Sequence, residues 1–293
     1  MKIFAIADIH IEGKNKYIAY QLPDIISKQN YSKDDVLIIA GDISPYLGSL
    51  HNYLSLFKEI QINKLFVAGN HDIWVDKRGD SKDKYYNQLK DAVLNAGFYY
   101  LDSNPVIINE IGFIGNIGWY DYSFKQNNLY LPDNYNLVRR KNNKIIKWAD
   151  LNDEDYSEKI LYSKINQRYQ VLTSWNDRIY INWEYRDKEF TDICLNKIKN
   201  DFDLINPYVK EIVFISHHIH FYECIVQKKI PEWDFNNAFM GCKAIGDIIK
   251  ANQKVSTIIF GHSHVRGRWI INDKITAYNP ALVNNNDFYI INI

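Results

Sequence analysis

Five short polar motifs, each directly after an apolar run of strand length, contain the residue types in this sequence that are suited to chemistry. They combine carboxylates, one amide and imidazoles: Asp8-Ile9-His10, Gly41-Asp42, Gly69-Asn70-His71-Asp72, Ser216-His217-His218 and Gly261-His262-Ser263-His264. Residues two apart on an extended backbone face the same way, so Asp8 and His10 can point into one pocket, as can His262 and His264. Pairs at this spacing are suited to metal chelation.

The donor atoms of these motifs are oxygen and nitrogen, with no thiolate, which favours manganese, iron or zinc over calcium or a soft metal. About seven ligands exceed what one ion needs, whereas two ions that share a carboxylate would use them all. Two carboxylates do not neutralise two divalent ions, so the site would stay positive and attract phosphate. We therefore expect two divalent or mixed-valence ions and a phosphorylated substrate.

The elements that position these motifs alternate between strand and helix in the first third of the chain. The apolar runs Ile3 to Ala7, Val36 to Ala40 and Leu65 to Ala68 are separated by segments with helical spacing, which predicts a largely parallel sheet. The groups beyond the carboxyl ends of parallel strands line one crevice. Shorter strands follow, and we expect a hairpin meander and then an antiparallel tail: Phe98 to Leu101, Val106 to Asn109, Ile111 to Ile114, Arg268 to Ile271, Lys274 to Tyr278 and Phe288 to Ile291.

Residues 124–206 differ in character and are predicted to be a mainly helical, cap-like insertion within a single domain spanning 1–293. A helix is expected to begin at Asp153, because acidic residues fill its first turn and apolar residues follow at Ile160, Ile165, Tyr169 and Leu172. A second helix is expected from Asp187.

Composition excludes several function classes. The 293 residues contain 35 basic and 35 acidic side chains, so no global field favours a membrane surface, and nucleic acid is disfavoured as a main partner. Three scattered cysteines favour a reducing compartment. The chain opens with a strand and holds no apolar run of membrane-spanning length. We expect a cytoplasmic protein, and the sequence does not specify its oligomeric state.

The motif series D-x-H, G-D, G-N-H-D, a later H and G-H-x-H resembles that of the calcineurin-like metallophosphoesterase superfamily. The resemblance covers about residues 1–122 and 207–293 and leaves the insertion unmatched. It implies an α/β fold, a four-layer α/β/β/α sandwich of two mixed sheets. It also implies two metal ions, of which Asp8, His10, Asp42 and His264 would hold one.

By the same resemblance, Asp42 would bridge to a second ion, and three further ligands would complete that site: Asn70, His217 and His262. His71 would contact the phosphate or protonate the leaving oxygen, with Asp72 orienting it. The V-D-R-G continuation of the protein serine/threonine phosphatase branch is absent after Asp42, which weakens an assignment as a protein phosphatase. His218 is an alternative to His217 as the ligand.

Candidate substrate contacts rest on weaker patterns. Trp119 and Tyr120 follow a strand and glycines, so they would either wall a pocket or belong to the core. Arg266, just after the last histidine motif, is placed for a substrate anion, and His218 is a further candidate. The basic run from Arg139 to Lys147 would either touch substrate or form a solvated face.

The prediction is thus a dinuclear metal-dependent phosphoesterase in which a metal-bound hydroxide attacks phosphorus, acting as a phosphatase on a small or peptide phosphomonoester. One alternative is a phosphodiesterase or nuclease, which needs a basic groove that only the run from Arg139 to Lys147 offers. The other is a non-catalytic scaffold with the same fold. The intact set of candidate ligands and His71 argue against a scaffold.

Overall fold

Two mixed β-sheets form the centre of the structure, a computed structural model that describes residues 1–13, 16–127, 129, 137–139, 144–147, 150–165, 168–281 and 288–293. Its strands are β1 Lys2–Ile6, β2 Val36–Ala40, β3 Asn63–Val67, β4 Tyr99–Tyr100, β5 Val106–Ile108, β6 Ile111–Asn116, β7 Leu137–Arg139, β8 Lys144–Ile146, β9 Ile160–Ile165, β10 Arg168–Ser174, β11 Glu211–Ser216, β12 Val255–Ile259, β13 Gly267–Ile271, β14 Ile275–Asn279 and β15 Tyr289–Asn292.

The first sheet has the order β15-β1-β2-β3-β4, and the second has the order β13-β14-β12-β11-β6-β5. In the first sheet β1 to β4 are parallel and β15 is antiparallel to β1. In the second sheet β6, β11, β12 and β14 are parallel, whereas β5 and β13 are antiparallel edge strands. The strands that precede the polar motifs are therefore the inner, parallel ones, and their apolar runs match burial on both faces.

The helices lie outside the two sheets, on their outer faces and at the edge that carries the polar motifs. They are α1 Lys16–Ala19, α2 Leu22–Ser27, α3 Leu47–Ser55, α4 Ser81–Asp83, α5 Leu89–Asn95, α6 Asp153–Ser157, α7 Asp177–Tyr180, α8 Asp187–Ile205, α9 Pro231–Asn236 and α10 Lys243–Ala251. A π-helical turn, Lys84–Gln88, joins α4 to α5. Short 3₁₀ turns span His71–Ile73, Asn206–Tyr208, Tyr222–Cys224 and Asn237–Phe239.

Alternation along each strand divides the core into layers. Ile3 and Ala5 of β1 belong to a cluster that also contains Phe113 and Val213 of the second sheet, so this cluster fills the space between the sheets. Their neighbours Phe4 and Ile6 face the helices instead. The predicted four-layer α/β/β/α sandwich is confirmed.

The insertion differs from its prediction in one segment. Helix α6 ends at Ser157, and the apolar residues expected to continue it lie in the antiparallel hairpin of β9 and β10. The predicted helix through Leu172 is therefore wrong, because apolar residues a few positions apart fit a twisted hairpin as well as a helix. The helix expected from Asp187 is confirmed as α8, which packs on the second sheet as part of an outer layer.

The predicted meander is also corrected at one strand. Strand β4 pairs in parallel with β3 in the first sheet, whereas β5 and β6 form a hairpin in the second. The segment between β4 and β5 thus crosses from one sheet to the other. The antiparallel pairing of β13 and β14 matches its prediction, although β15 returns to the first sheet.

Among the helices of the described residues, none has both the length and the apolar character required to cross a lipid bilayer.

Close approach of the two sheets generates a test of the sandwich. A Cβ added at Gly115 in β6 would meet the Leu101 Cβ atom and would lie 2.6 Å from Val67 Cγ1 of the first sheet. We expect Gly115→Ala to lower the free energy of unfolding by about 1–3 kcal/mol, because the packed interface cannot absorb the methyl group. Denaturant titration measures the loss.

The matched control is Gly48→Ala in α3, where nothing lies within 4 Å of the added Cβ. Its stability should stay within about 0.5 kcal/mol of the parent protein or rise slightly. Equal stabilities of the two variants would contradict the close approach of the sheets at Gly115.

Candidate metal centre

The polar motifs after β1, β2, β3, β11 and β12 come together at one edge of the sandwich. Five of their residues hold positive φ angles, which non-glycine residues seldom adopt: Asp8 at 54°, His10 at 46°, Asp42 at 59°, His262 at 71° and His264 at 54°. Such strain persists where the surrounding structure fixes the backbone, and it concentrates at functional sites.

One donor group consists of four side chains whose ligand atoms all lie within 4.8 Å of one another: Asp8, His10, Asp42 and His264. The Nε2 atoms of His10 and His264 are 3.1 Å apart, and Nε2 of His264 is 3.7 Å from Asp8 Oδ1. Nε2 of His10 is 3.5 Å from Asp42 Oδ2. Two carboxylates and two imidazoles are thus aimed at one small volume.

A second donor group lies on the other side of Asp42. Asn70 Oδ1 is 3.1 Å from both His217 Nε2 and His262 Nδ1, and these two nitrogens are 3.2 Å apart. The Nδ1 atom of His217 donates to the Ala40 carbonyl at 3.0 Å, and Nε2 of His262 donates to the Phe239 carbonyl at 3.2 Å. Because a carbonyl only accepts, the ring nitrogens that face Asn70 carry lone pairs in the neutral imidazoles.

The Asp42 carboxylate connects the two groups. Its Oδ2 atom is 3.3 Å from His217 Nε2 in the second group and 3.5 Å from His10 Nε2 in the first. Burial raises the pKa of Asp42, but the neighbouring imidazoles, His217 foremost, hold it well below its ordinary value. Burial likewise opposes a charged His217, yet the Asp42 carboxylate outweighs it and raises the pKa of His217 to about 9. The negative charge of the Asp42 carboxylate therefore stabilises positively charged groups beside it.

These donors fit metal ions. Asp8 Oδ2 is buried and has no hydrogen-bond partner among the described residues, although Oδ1 accepts the His262 backbone N–H at 2.8 Å. When both imidazoles are neutral, Asn70 Oδ1, His217 Nε2 and His262 Nδ1 are all acceptors that lie about 3 Å from one another, an arrangement that is repulsive unless a cation or proton lies between them. Nitrogen and oxygen donors of this kind suit manganese, iron or zinc.

A buried carboxylate that sequence reasoning missed fixes the second group. Asp177, fully buried at the start of α7, accepts Asn70 Nδ2 at 2.9 Å through Oδ1, and this contact turns Asn70 Oδ1 towards the histidines. The same carboxylate accepts the indole N–H groups of Trp74 and Trp175, each at 2.7 Å, and the Tyr120 hydroxyl at 3.2 Å. Asp177 belongs to the insertion, and no motif spacing marks it in the sequence.

His71 lies beside Asp42 with its ring partly exposed. Its backbone N–H donates to Asp42 Oδ1 at 2.9 Å, and its Nε2 atom is 3.9 Å from Asp42 Oδ2. The ring stacks on Trp74 with centroids 3.6 Å apart, and the Trp74 indole is held by Asp177. The insertion therefore supports this imidazole as well as the amide of Asn70.

The predicted pairing of Asp72 with His71 is corrected. The Asp72 carboxylate is fully buried and accepts four backbone N–H groups at 2.8–2.9 Å, those of Asp42, Ile43, Ser44 and Gly69. It joins the turn after β2 to the turn after β3. Asp72 is thus a support for the backbone that carries Asp42, because the short 3₁₀ turn aims its side chain inwards.

The four predicted substrate contacts also lie elsewhere. Trp119, Tyr120 and His218 are fully buried, and their rings pack together with centroids 4.8–5.8 Å apart. The guanidinium of Arg266 lies over the Tyr289 ring at 4.0 Å and donates to the Phe288 carbonyl at 3.2 Å. None of the four lines the described cavity next to the donor groups. Aromatic side chains after a strand serve the core here.

Only part of the basic run from Arg139 to Lys147 lies within the described residues. Arg139 and Lys144 face each other in the register of the β7–β8 hairpin, whereas 140–143 lie outside the described residues.

Comparison with known proteins decides the family. The sequence profile named calcineurin-like phosphoesterase matches residues 1–266. The chain belongs to the calcineurin-like phosphoesterase family. The family is dimetal-dependent, in agreement with the two donor groups that share Asp42. The resemblance inferred from the motif series is thereby confirmed.

Three known proteins are similar to this chain. The uncharacterized protein L509 of Acanthamoeba polyphaga mimivirus is 24% identical over 249 residues, which cover 83% of this chain and 76% of that protein. The phosphopantetheinyl hydrolase PptH of Mycobacterium tuberculosis superposes with a TM-score of 0.68 and 15% identity, covering 99% of this chain and 95% of the other. A dimetal phosphatase of Danio rerio superposes with a TM-score of 0.51 and 10% identity, covering 95% of this chain and 86% of the other. These structural likenesses show a shared fold.

The contact between Asp177 and Asn70 generates a prediction about metal affinity. In Asp177→Asn, only one side-chain oxygen remains for the four donors that the carboxylate accepts, so the hold on the Asn70 amide would weaken. We expect the metal affinity of the site that contains Asn70 to fall by about 10- to 100-fold, as measured by titration of the metal-free protein.

The control is Asp187→Asn, in the same insertion. Asp187 also accepts an indole N–H, from Trp119, and a tyrosine hydroxyl, from Tyr122, but it touches none of the candidate ligands. This variant should bind metal as the parent protein does. Equal metal affinities of Asp177→Asn and Asp187→Asn would show that Asp177 acts on stability alone.

Proposed function

We propose that the protein is a two-metal phosphatase that hydrolyses a small or peptide phosphomonoester. The single observation that carries this proposal is the Asp42 carboxylate, which lies within 3.5 Å of an imidazole nitrogen from each of two donor groups. A carboxylate placed between two donor groups in this way would suit two neighbouring ions. A second oxygen of the same carboxylate is already held by the His71 backbone N–H.

The proposed metal ligands divide between two positions. Asp8, His10, Asp42 and His264 would hold one ion, and the other would be held by Asp42 together with Asn70, His217 and His262. When bound, divalent ions supply positive charge that polarises phosphoryl oxygens and makes water more acidic. With only two carboxylates among the ligands, the site would keep a net positive charge that favours a phosphate ester.

His71 is proposed as the group that holds a proton near the leaving oxygen. Its imidazole is 27% exposed, so a substrate can reach it, whereas Trp74 restricts its rotation by stacking on one face. Its Nε2 atom points towards Asp42 without approaching within hydrogen-bond distance. A proton donor beside the ligands would assist departure of an alkoxide.

Two further observations support the proposal. The solved structures that share the fold include one named as a dimetal phosphatase and one named as a phosphopantetheinyl hydrolase. The cysteines Cys194, Cys224 and Cys242 are buried free thiols, which agrees with the reducing cytoplasm as the proposed location.

A comparison of leaving groups tests the role of His71. An alkyl phosphate has a poor leaving group that needs protonation, whereas 4-nitrophenyl phosphate needs little. We expect His71→Ala to lose on the order of a hundredfold or more in kcat on an alkyl phosphate and much less on the nitrophenyl ester. Elemental analysis should find both ions retained.

His51→Ala provides the matched control, because His51 is also a partly exposed histidine but bonds through Nδ1 to the Ala92 carbonyl at 3.0 Å and does not line the cavity beside the donor groups. Both rates should stay at the parent level in this control. Equal losses on the two esters in His71→Ala would assign His71 to binding phosphate charge, and loss of an ion would make it a ligand.

A further inference from the structure

A cavity of about 350 Å³ opens directly beside the two donor groups. Asp42, Asn70, His71, His262 and His264 form its inner wall. A phosphate ester held at the ligands with His71 beside its leaving oxygen would therefore extend its alcohol portion into this space. The cavity is of the size that binds small organic ligands in proteins.

The outer wall of the cavity is mostly apolar. Six of the remaining lining residues are apolar, namely Trp175, Ile219, Val226, Trp233, Met240 and Val265. The one charged side chain among them is Lys228, and no acidic side chain other than Asp42 lines the cavity within the described residues. The lining thus offers a cationic leaving group no carboxylate other than Asp42.

Two polar side chains of the outer wall, those of Asn237 and Ser263, are engaged within the protein. Asn237 Nδ2 donates to the Val226 carbonyl at 3.2 Å. Ser263 Oγ accepts Asn279 Nδ2 at 3.1 Å and the Val265 backbone N–H at 3.3 Å. Asn236 Oδ1 is buried without a hydrogen-bond partner among the described residues, so a ligand could use it together with the Lys228 ammonium. These two groups do not match the several hydroxyl groups of a sugar, whose burial would need more partners.

The aromatic walls are held in place before any ligand binds. The Trp233 indole N–H donates to the Val226 carbonyl at 2.7 Å, and Lys228 Nζ lies 3.3 Å from the centre of the Trp233 ring. Trp175 donates to Asp177 at 2.7 Å and stacks on Phe239 with centroids 4.9 Å apart and planes 12° from parallel. Fixed aromatic walls favour a ligand with an apolar body, because no side chain must be ordered on binding.

We propose that this cavity binds the apolar body of the leaving alcohol, so that the substrates are phosphomonoesters of alcohols with a bulky apolar or aromatic portion rather than sugar phosphates. This inference rests on the proposed phosphatase function. Specificity then arises from the segment that carries Val226, Trp233 and Met240, together with Trp175 of the insertion.

Two alkyl esters with similar leaving groups test the inference. Ethyl phosphate and 2-(2-naphthyl)ethyl phosphate both release a primary alkoxide, so their chemistry is matched and only occupation of the cavity differs. We expect the metal-loaded protein to give a kcat/KM for the naphthyl ester on the order of tenfold to a hundredfold higher. Trp233→Leu should lower kcat/KM for the naphthyl ester much more than for ethyl phosphate, so that most of the preference is lost.

A second variant fills the cavity in place of removing a wall. Val226→Trp keeps the backbone carbonyl that accepts from Trp233 and Asn237, and its added volume should lower kcat/KM for the naphthyl ester much more than for ethyl phosphate. Tyr208→Leu, a change at a 71% exposed aromatic outside the cavity, should keep the parent preference.

The outcomes separate the two proposals. Hydrolysis of both esters with equal kcat/KM in the parent protein would overturn the cavity assignment and leave the phosphatase proposal intact. If neither ester were hydrolysed, the phosphatase proposal would fail, and calorimetry with 2-(2-naphthyl)ethanol would decide the cavity. Binding to the metal-free parent protein that is lost in both variants supports the inference, and absence of binding overturns it.

Discussion

The Asp42 carboxylate is the group on which the rest of the site depends. It is 1% exposed, and a buried charge of this kind is stable only with compensating partners. Those partners come from both sheets: His10 and the His71 backbone N–H from the first, and His217 from the second. The sandwich must therefore bring two separate strand ends to one side chain.

The backbone around Asp42 is built for this approach. A Cβ at Gly69 would collide with the Asp42 carboxylate, so the turn after β3 can pass close by only with glycine at this position. Asp72 then joins the turn after β2 to the turn after β3, because its carboxylate accepts backbone N–H groups from both. The positive φ angle of Asp42 is the local consequence, and the four hydrogen bonds to Asp72 offset part of its cost.

Short-range patterns determine much of the fold and most of the donor groups. Continuous apolar runs such as Val36–Ala40 predict inner strands, and each motif directly after such a run has only one edge of the sheet to occupy. Asp177 could not be found in this way, because two of its partners, Asn70 and Trp74, are more than one hundred positions away along the chain. Asp72 could not be assigned either, because a side chain one residue past His71 points inwards or outwards according to the turn.

The insertion is also where sequence reasoning failed on secondary structure. Apolar residues spaced along 160–174 suit either a helix or a hairpin, and tertiary packing decides between them. Its role at the site is nevertheless clear from contacts: Asp177 orients Asn70, and Trp175 walls the cavity. A segment that matches no motif thus reaches both the candidate metal ligands and the cavity beside them.

The most direct test of the shared Asp42 is a titration of the metal-free protein with manganese followed by electron paramagnetic resonance. If Asp42 bridges two ions, the protein should bind two Mn²⁺ per chain, and the spectrum should be that of an exchange-coupled pair about 3.5 to 4 Å apart. Binding of a single Mn²⁺, or of two that give the spectrum of isolated ions, would contradict the account.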